Sequence, residues 1–201
     1  MFQSRFFRIF AASAAGLVVA GLIAWAQIDS AGKMSPAPPA VGGPFELVDH
    51  TGKTVRDSDF RGKHMLIYFG YTYCPDVCPT ELSAMAQTLD RLGPAADKVQ
   101  PLFITIDPER DDPAHLADYA PLFHPRLLGL TGTPEQVKAA VKAYRAYAAK
   151  APGWEKAGKD YLMDHSSFIY WMDEQGKFVA AFPAGSTPDG VAARMKERLG
   201  G

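Results

Sequence analysis

Cysteine is scarce in this chain of 201 residues: there are two. Two cysteines cannot build a disulfide scaffold, nor can they supply a four-thiolate zinc or iron–sulfur site. An excess of one charge is missing too. With 21 Lys+Arg against 22 Asp+Glu, a formal charge of −1 offers no electrostatic footing for nucleic acid. No internal repeat is visible. What remains is the composition of a folded protein, 47% hydrophobic and 11% aromatic.

The apolar residues are unevenly placed. From Ile9 to Ile28 (IFAASAAGLVVAGLIAWAQI) nothing is charged, a run long enough to cross a bilayer as a helix. Arg5 and Arg8 precede it and Asp29 follows. The positive-inside bias therefore puts the amino end in the cytoplasm and everything after Asp29 across the membrane. Ala24-Trp25-Ala26 also fits a signal-peptidase site, with cleavage after Ala26, but the uncharged run is long for a signal peptide. Both readings export the rest of the chain. The expectation is a bacterial inner-membrane protein, single pass, with a periplasmic C-terminal domain.

Four parts follow: a cytoplasmic stub (1–8), a transmembrane anchor (9–28), a linker (29–44) and one domain (45–201). Residues 30–44 hold four prolines and three glycines, the composition of a semi-extended tether. Removing Arg5 and Arg8 from the 21 bases leaves 19 against 22 acids, so the exported part is mildly acidic.

The domain's pattern is legible. Phe45–Val48 and Thr54–Val55 flank a turn containing Gly52, which predicts a hairpin. Met65–Tyr71 and Leu102–Ile106 are continuous apolar runs, as in strands buried on both faces. Leu82, Met85, Leu89 and Leu92 fall at helical spacing, and Gly93-Pro94 stops that helix. Pro113 opens a helix through Ala120. Thr133-Pro134-Glu135-Gln136 is a capping box for a helix to about Tyr147. Ser167–Met172 and Phe178–Phe182 are strands around the Glu174–Lys177 turn, and Thr187-Pro188 opens a last helix to Leu199. Apolar strands separated by helices indicate an α/β domain with parallel β-α-β units and helices on both faces.

Both cysteines fall between the first core strand and its helix, in Cys74-Pro75-Asp76-Val77-Cys78. In an open α/β sheet that is the carboxyl end of a strand, where ligands collect. Cys78 lies near a helix N-terminus, whose unpaired N–H groups and dipole favour thiolate. A structural disulfide is the alternative, but a five-residue loop restrains the unfolded chain little. The three-residue spacing differs from the two of the thioredoxin motif. It allows a redox-active disulfide, and it also lets two thiolates converge on one ion. Two thiolates with one imidazole suit copper.

Copper then needs a histidine. His50 (in the hairpin turn), His64 (beside Gly62-Lys63), His115 (in a first helical turn) and His124 (before Pro125) read as solvated surface positions. His165 differs, because Asp164-His165-Ser166-Ser167 leads into a core strand of the same sheet. The absence of proline between Pro152 and Pro183 removes the cis-proline usual in thioredoxins and leaves His165 free to face the pair. Met85 belongs to the Leu82/Leu89 stripe and reads as core.

Three motifs in this order, Tyr73-Cys74-Pro75-Asp76-Val77-Cys78-Pro79, Ile106-Asp107-Pro108-Glu109-Arg110-Asp111 and Asp164-His165-Ser166-Ser167, resemble the SCO/SenC family over about residues 43–200. Those are membrane-tethered copper-binding proteins with a thioredoxin-like fold. The resemblance implies that Cys74, Cys78 and His165 bind one copper ion, as Cu(I) or Cu(II). It implies a metallochaperone role in assembling the dinuclear copper centre of cytochrome c oxidase, with subunit II or another copper or thiol protein as partner. Asp107 is implied to shape the site; a loop-capping carboxylate is the alternative. A dinuclear copper domain would need a histidine four positions beyond the second cysteine, where Leu82 stands, and a peroxiredoxin motif is absent. Two other functions stay open at this point: a thiol–disulfide oxidoreductase using the Cys74/Cys78 pair, and a redox or copper sensor.

Overall fold

The computed structural model describes residues 19–25, 40–153, 158 and 160–200. By its contacts the chain divides into two units, Met1–Pro39 and Ala40–Gly201. In the first, residues 19–25 are helical. The remainder of the expected 9–28 span and residues 29–39 of the linker lie outside the described residues. Among the described residues no helix is long and apolar enough to cross a membrane.

The second unit opens with β1 (Glu46–Asp49), β2 (Thr54–Arg56), β3 (His64–Gly70), α1 (Val77–Leu92), β4 (Val99–Thr105) and α2 (Pro113–Tyr119). It continues with β5 (Leu128–Thr131), α3 (Pro134–Ala143), β6 (Ala148–Lys150), β7 (Met163–His165), β8 (Phe168–Met172), β9 (Phe178–Pro183) and α4 (Pro188–Leu199). Seven strands form one mixed sheet in the order β2-β1-β5-β4-β3-β8-β9, and β6 and β7 form a separate ribbon. The sheet is that of a thioredoxin-like α/β fold.

β3 is the hub. All seven of its residues are buried, as its unbroken apolar run requires of a strand covered on both faces. It pairs in parallel with β4 from His64↔Val99 to Gly70↔Thr105, and antiparallel with β8 from Met65↔Met172 to Tyr68↔Ile169. The Leu82, Met85 and Leu89 stripe of α1 is buried, and α1 packs against α4. Truncating Leu82 to alanine would cost about 2–5 kcal/mol, as deletions at fully buried leucines do.

The β6–β7 ribbon, β5 and the end of α3 differ from the sequence expectation. β5 gave no signal, because Leu-Gly-Leu-Thr is short and broken by glycine. Glycine lets α2 sit close there: a Cβ on Gly129 would lie 3.1 Å from Leu116 Cβ, so a larger residue would push the helix off the strand by a few tenths of an ångström. α3 keeps its capping box, with Gln136 N–H donating to Thr133 Oγ1 and Thr133 N–H donating to Gln136 Oε1. It stops at Ala143, short of Tyr147, where Arg145 takes a positive φ of 55° and turns the chain into β6.

His64 is also corrected. It is buried at the start of β3, and its Nδ1 accepts from Trp171 Nε1 at 3.0 Å. Burial lowers its pKa, with Glu174 opposing. An unfolded chain binds the proton near pH 6.5, at a pH where the folded chain still refuses it. Unfolding free energy therefore rises with pH through the window below 6.5 and is complete above it. The urea midpoint of the reduced protein should fall between about pH 7.5 and about pH 5.5. In His64→Gln the fall should shrink; an unchanged fall would assign it elsewhere.

Candidate metal centre

β3 ends at Gly70 and α1 begins at Val77, so the cysteine loop leaves the carboxyl end of the central strand. A side chain at position 70 is barred, because its Cβ would lie 2.8 Å from Cys78 Sγ. Cys78, in the first turn of α1, is fully buried, whereas Cys74 is half-buried, and both are free thiols. The Cys78 backbone N–H points at Cys74 Sγ from 3.5 Å, the helix-terminus arrangement expected. Asp111 fixes the base of the loop: it accepts from Thr72 N–H at 3.1 Å, from Thr72 Oγ1 at 2.5 Å and from Thr105 Oγ1 at 2.6 Å.

His165 arrives from the other side. It ends β7, in a two-stranded ribbon that the sequence did not signal, and leads as expected into the core strand β8, which begins three residues later. Its ring stands edge-on to Tyr68 and Tyr71, with centroids 6.1 and 6.0 Å away. Nδ1 lies 3.1 Å from the Ser166 carbonyl, and a proton donated there leaves Nε2 as the lone-pair nitrogen. Nε2 is the atom that faces Cys78, 3.3 Å from its sulfur. The donor atoms of Cys74, Cys78 and His165 all lie within 4.8 Å of one another.

Charge in this trio is unequally shared. Cys74 is pulled down to about 3, first by the Cys78 thiol donating to it, with burial opposing and the backbone N–H groups of Asp76 and Cys78 adding to the effect. Cys78 is pushed up, first by the Cys74 thiolate and then by burial. The metal-free pair therefore holds one thiolate, on the more accessible sulfur. Two sulfurs and an imidazole form a soft donor set, which suits copper and underfills tetrahedral zinc.

The SCO1/SenC family model matches residues 33–200. The chain belongs to the SCO1/SenC family. It is 47% identical to the protein in the structure of Bradyrhizobium japonicum ScoI with copper bound, at a TM-score of 0.71, covering 79% of this chain and 99% of that one. It is 49% identical over 144 residues to the mitochondrial Protein SCO1 of Saccharomyces cerevisiae, which covers 71% of this chain and 48% of that protein. The human mitochondrial SCO1 homolog is 43% identical over 163 residues, 80% of this chain and 54% of its own length. This SCO1/SenC chain thus spans about half the length of these two curated relatives.

These relatives correct one expectation. Yeast and human family members are mitochondrial, and among the described residues no helix suits a membrane crossing. The placement as a single-pass bacterial inner-membrane protein with a periplasmic domain is therefore not supported. A local likeness of the uncharged run to an anchor says nothing about which membrane system a family member serves.

Sequence reasoning named the three donors that the structure brings together. It placed Met85 correctly in the core. His50 accepts from Gly129 N–H, His115 stacks on Tyr73 and His124 accepts from Arg126 N–H, so none of them joins the site. Missed were Arg110, Asp111 and Tyr161, which are buried around it. The first two stand in the 106–111 motif already noticed; Tyr161 carried no signal, because its partner lies 54 residues away.

The asymmetry of the two thiols is testable by alkylation of the reduced, metal-free chain. Iodoacetamide near pH 6 should label Cys74 well before Cys78. Cys78→Ser should move Cys74 labelling to higher pH, since the strongest donor to its thiolate is weakened. Equal labelling rates for the two cysteines would contradict this.

Proposed function

We propose that this chain binds one copper ion through Cys74, Cys78 and His165, as Cu(I) or Cu(II), and acts as a copper metallochaperone. The ion is cargo, passed on in assembly of the dinuclear copper centre of cytochrome c oxidase, with subunit II as the recipient. The observation that carries the reading is the convergence of two sulfurs and a free imidazole nitrogen within 4.8 Å. Its support is twofold: this soft set suits copper, and a relative 47% identical has copper bound. Residues 45–201 carry all three ligands and form the functional domain of the proposal.

The free, unequally ionised cysteine pair favours a second reading, thiol–disulfide exchange. The Cys74 thiolate would attack a partner disulfide, releasing one partner thiolate and forming a mixed disulfide. Cys78, on losing its proton to solvent, would then attack Cys74 and release the second. The pair is oxidised and the partner reduced by two electrons. Copper and disulfide exclude each other at these sulfurs, so redox state gates metal loading.

Anaerobic titration of the reduced chain should show one tight Cu(I) per chain. His165→Ala and Cys78→Ser should each weaken it, and unchanged affinity in both would sink the copper reading. In cells, His165→Ala that still reduces a partner's disulfide yet fails to restore oxidase activity makes copper the essential role. Full restoration by the same variant makes exchange the essential role.

A further inference from the structure

The ribbon that carries His165 needs an anchor. β7 pairs only with β6 among the described residues, and a two-stranded ribbon is marginal by itself. Beneath it, between the 106–109 segment and α3, lies an apolar cavity of about 260 Å³ lined by Ile106, Val137, Val141, Ala148 and Met163. Only Ala148 and Met163 of the ribbon pack on the core, and both border this cavity, so apolar contact is sparse there. A polar cluster beside it supplies the anchor.

We infer that Tyr161, Asp107 and Arg110 are positioning residues for His165: they latch the β6–β7 ribbon to the loop after β4. The inference deepens the copper reading and rests on it. Tyr161 is buried two residues before β7. Its hydroxyl donates to Asp107 Oδ1 at 2.6 Å, while Arg110 Nε donates to Asp107 Oδ2 and another guanidinium nitrogen to the Tyr161 carbonyl at 2.8 Å. The Arg110 and Asp107 side chains are only 5% and 3% exposed. Breaking one member of so buried a pair leaves an uncompensated charge, so the latch holds one geometry and does not slide.

The same cation reaches the cysteine side. Arg110 lies 3.7 Å over the Tyr161 ring, 4.7 Å over Tyr73 and 5.6 Å over Tyr71. Tyr73 precedes Cys74, and the Tyr71 hydroxyl accepts from Met163 N–H in the ribbon at 3.2 Å. With Asp111 holding Thr72, the 107–111 loop grips both halves of the donor set. Only three residues separate Tyr161 from His165, so loosening the first displaces the second.

Tyr161→Phe in the full chain removes one hydroxyl and keeps the ring. In the metal-free protein, the Ala151 and Met163 amides, which bond to Leu162 O and Tyr71 Oη, should exchange faster, while amides of β3 and β4 keep parental rates. Copper affinity should fall about tenfold or more, the usual cost of losing support behind a ligand. Nitrogen hyperfine structure in the Cu(II) form should weaken. In a His165→Ala background the same substitution should cost nothing further, which a merely structural role would not produce. Should Tyr161→Phe unfold, Arg110→Lys, which keeps the charge and loses the fork, carries the same comparison. Parental exchange in the ribbon, or a full additive loss of affinity without His165, overturns the latch. A parent chain that binds no copper overturns the copper reading alone, and the exchange rates still decide the latch.

Discussion

Cys78 Sγ and His165 Nε2 come within 3.3 Å across 87 residues of chain, and that approach is set by strand register. β3 runs toward the site and delivers the cysteine loop from its carboxyl end. β8 lies antiparallel beside it, with Tyr68 opposite Ile169, so whatever precedes β8 must arrive above Gly70. A slip of one residue in either strand would exchange its two faces and unmatch the close packing on both. Burial of Leu66, Ile67, Tyr68 and Trp171 therefore fixes the register, and the register fixes where the imidazole meets the sulfurs. The candidate metal centre is a consequence of core packing.

What the approach creates is a site with one ready thiolate and one reluctant thiol. Cys74 is accessible and ionised, and Cys78 is buried and protonated by comparison. A metal ion that takes both sulfurs must displace the second proton, which makes loading sensitive to pH and to oxidation alike. On the proposed reading, transfer of copper and exchange of disulfides are alternative uses of the same atoms. The imidazole separates them: it contributes a third donor to an ion and is not needed by the dithiol.

Much of this was legible in the sequence because the signals are local. The apolar runs of β3 and β4, the Thr133 capping box and the cysteine loop each lie within a few residues. β5 was invisible because its identity comes from neighbours: Gly129 is chosen by the closeness of Leu116, and four residues show no period. His64 misled for a similar reason, since its partner Trp171 lies 107 residues on. His165 was named correctly for its place just before β8, yet its own ribbon was missed. Ala148–Lys150 and Met163–His165 are three residues each, too short to show a period, and the Tyr161 cluster beside them is assembled from across the fold. Family likeness extends the reading to copper, while the mitochondrial relatives show that the compartment was not encoded in the apolar run.

The central claim is that two sulfurs and one nitrogen of this chain hold one copper ion. X-ray absorption at the copper edge of the loaded, full-length protein tests it most directly. The account predicts a first coordination sphere of two sulfurs and one imidazole nitrogen, with the nitrogen and its outer-ring scattering lost in His165→Ala. A sphere of sulfur alone in the parent, or a parental spectrum in His165→Ala, would contradict it.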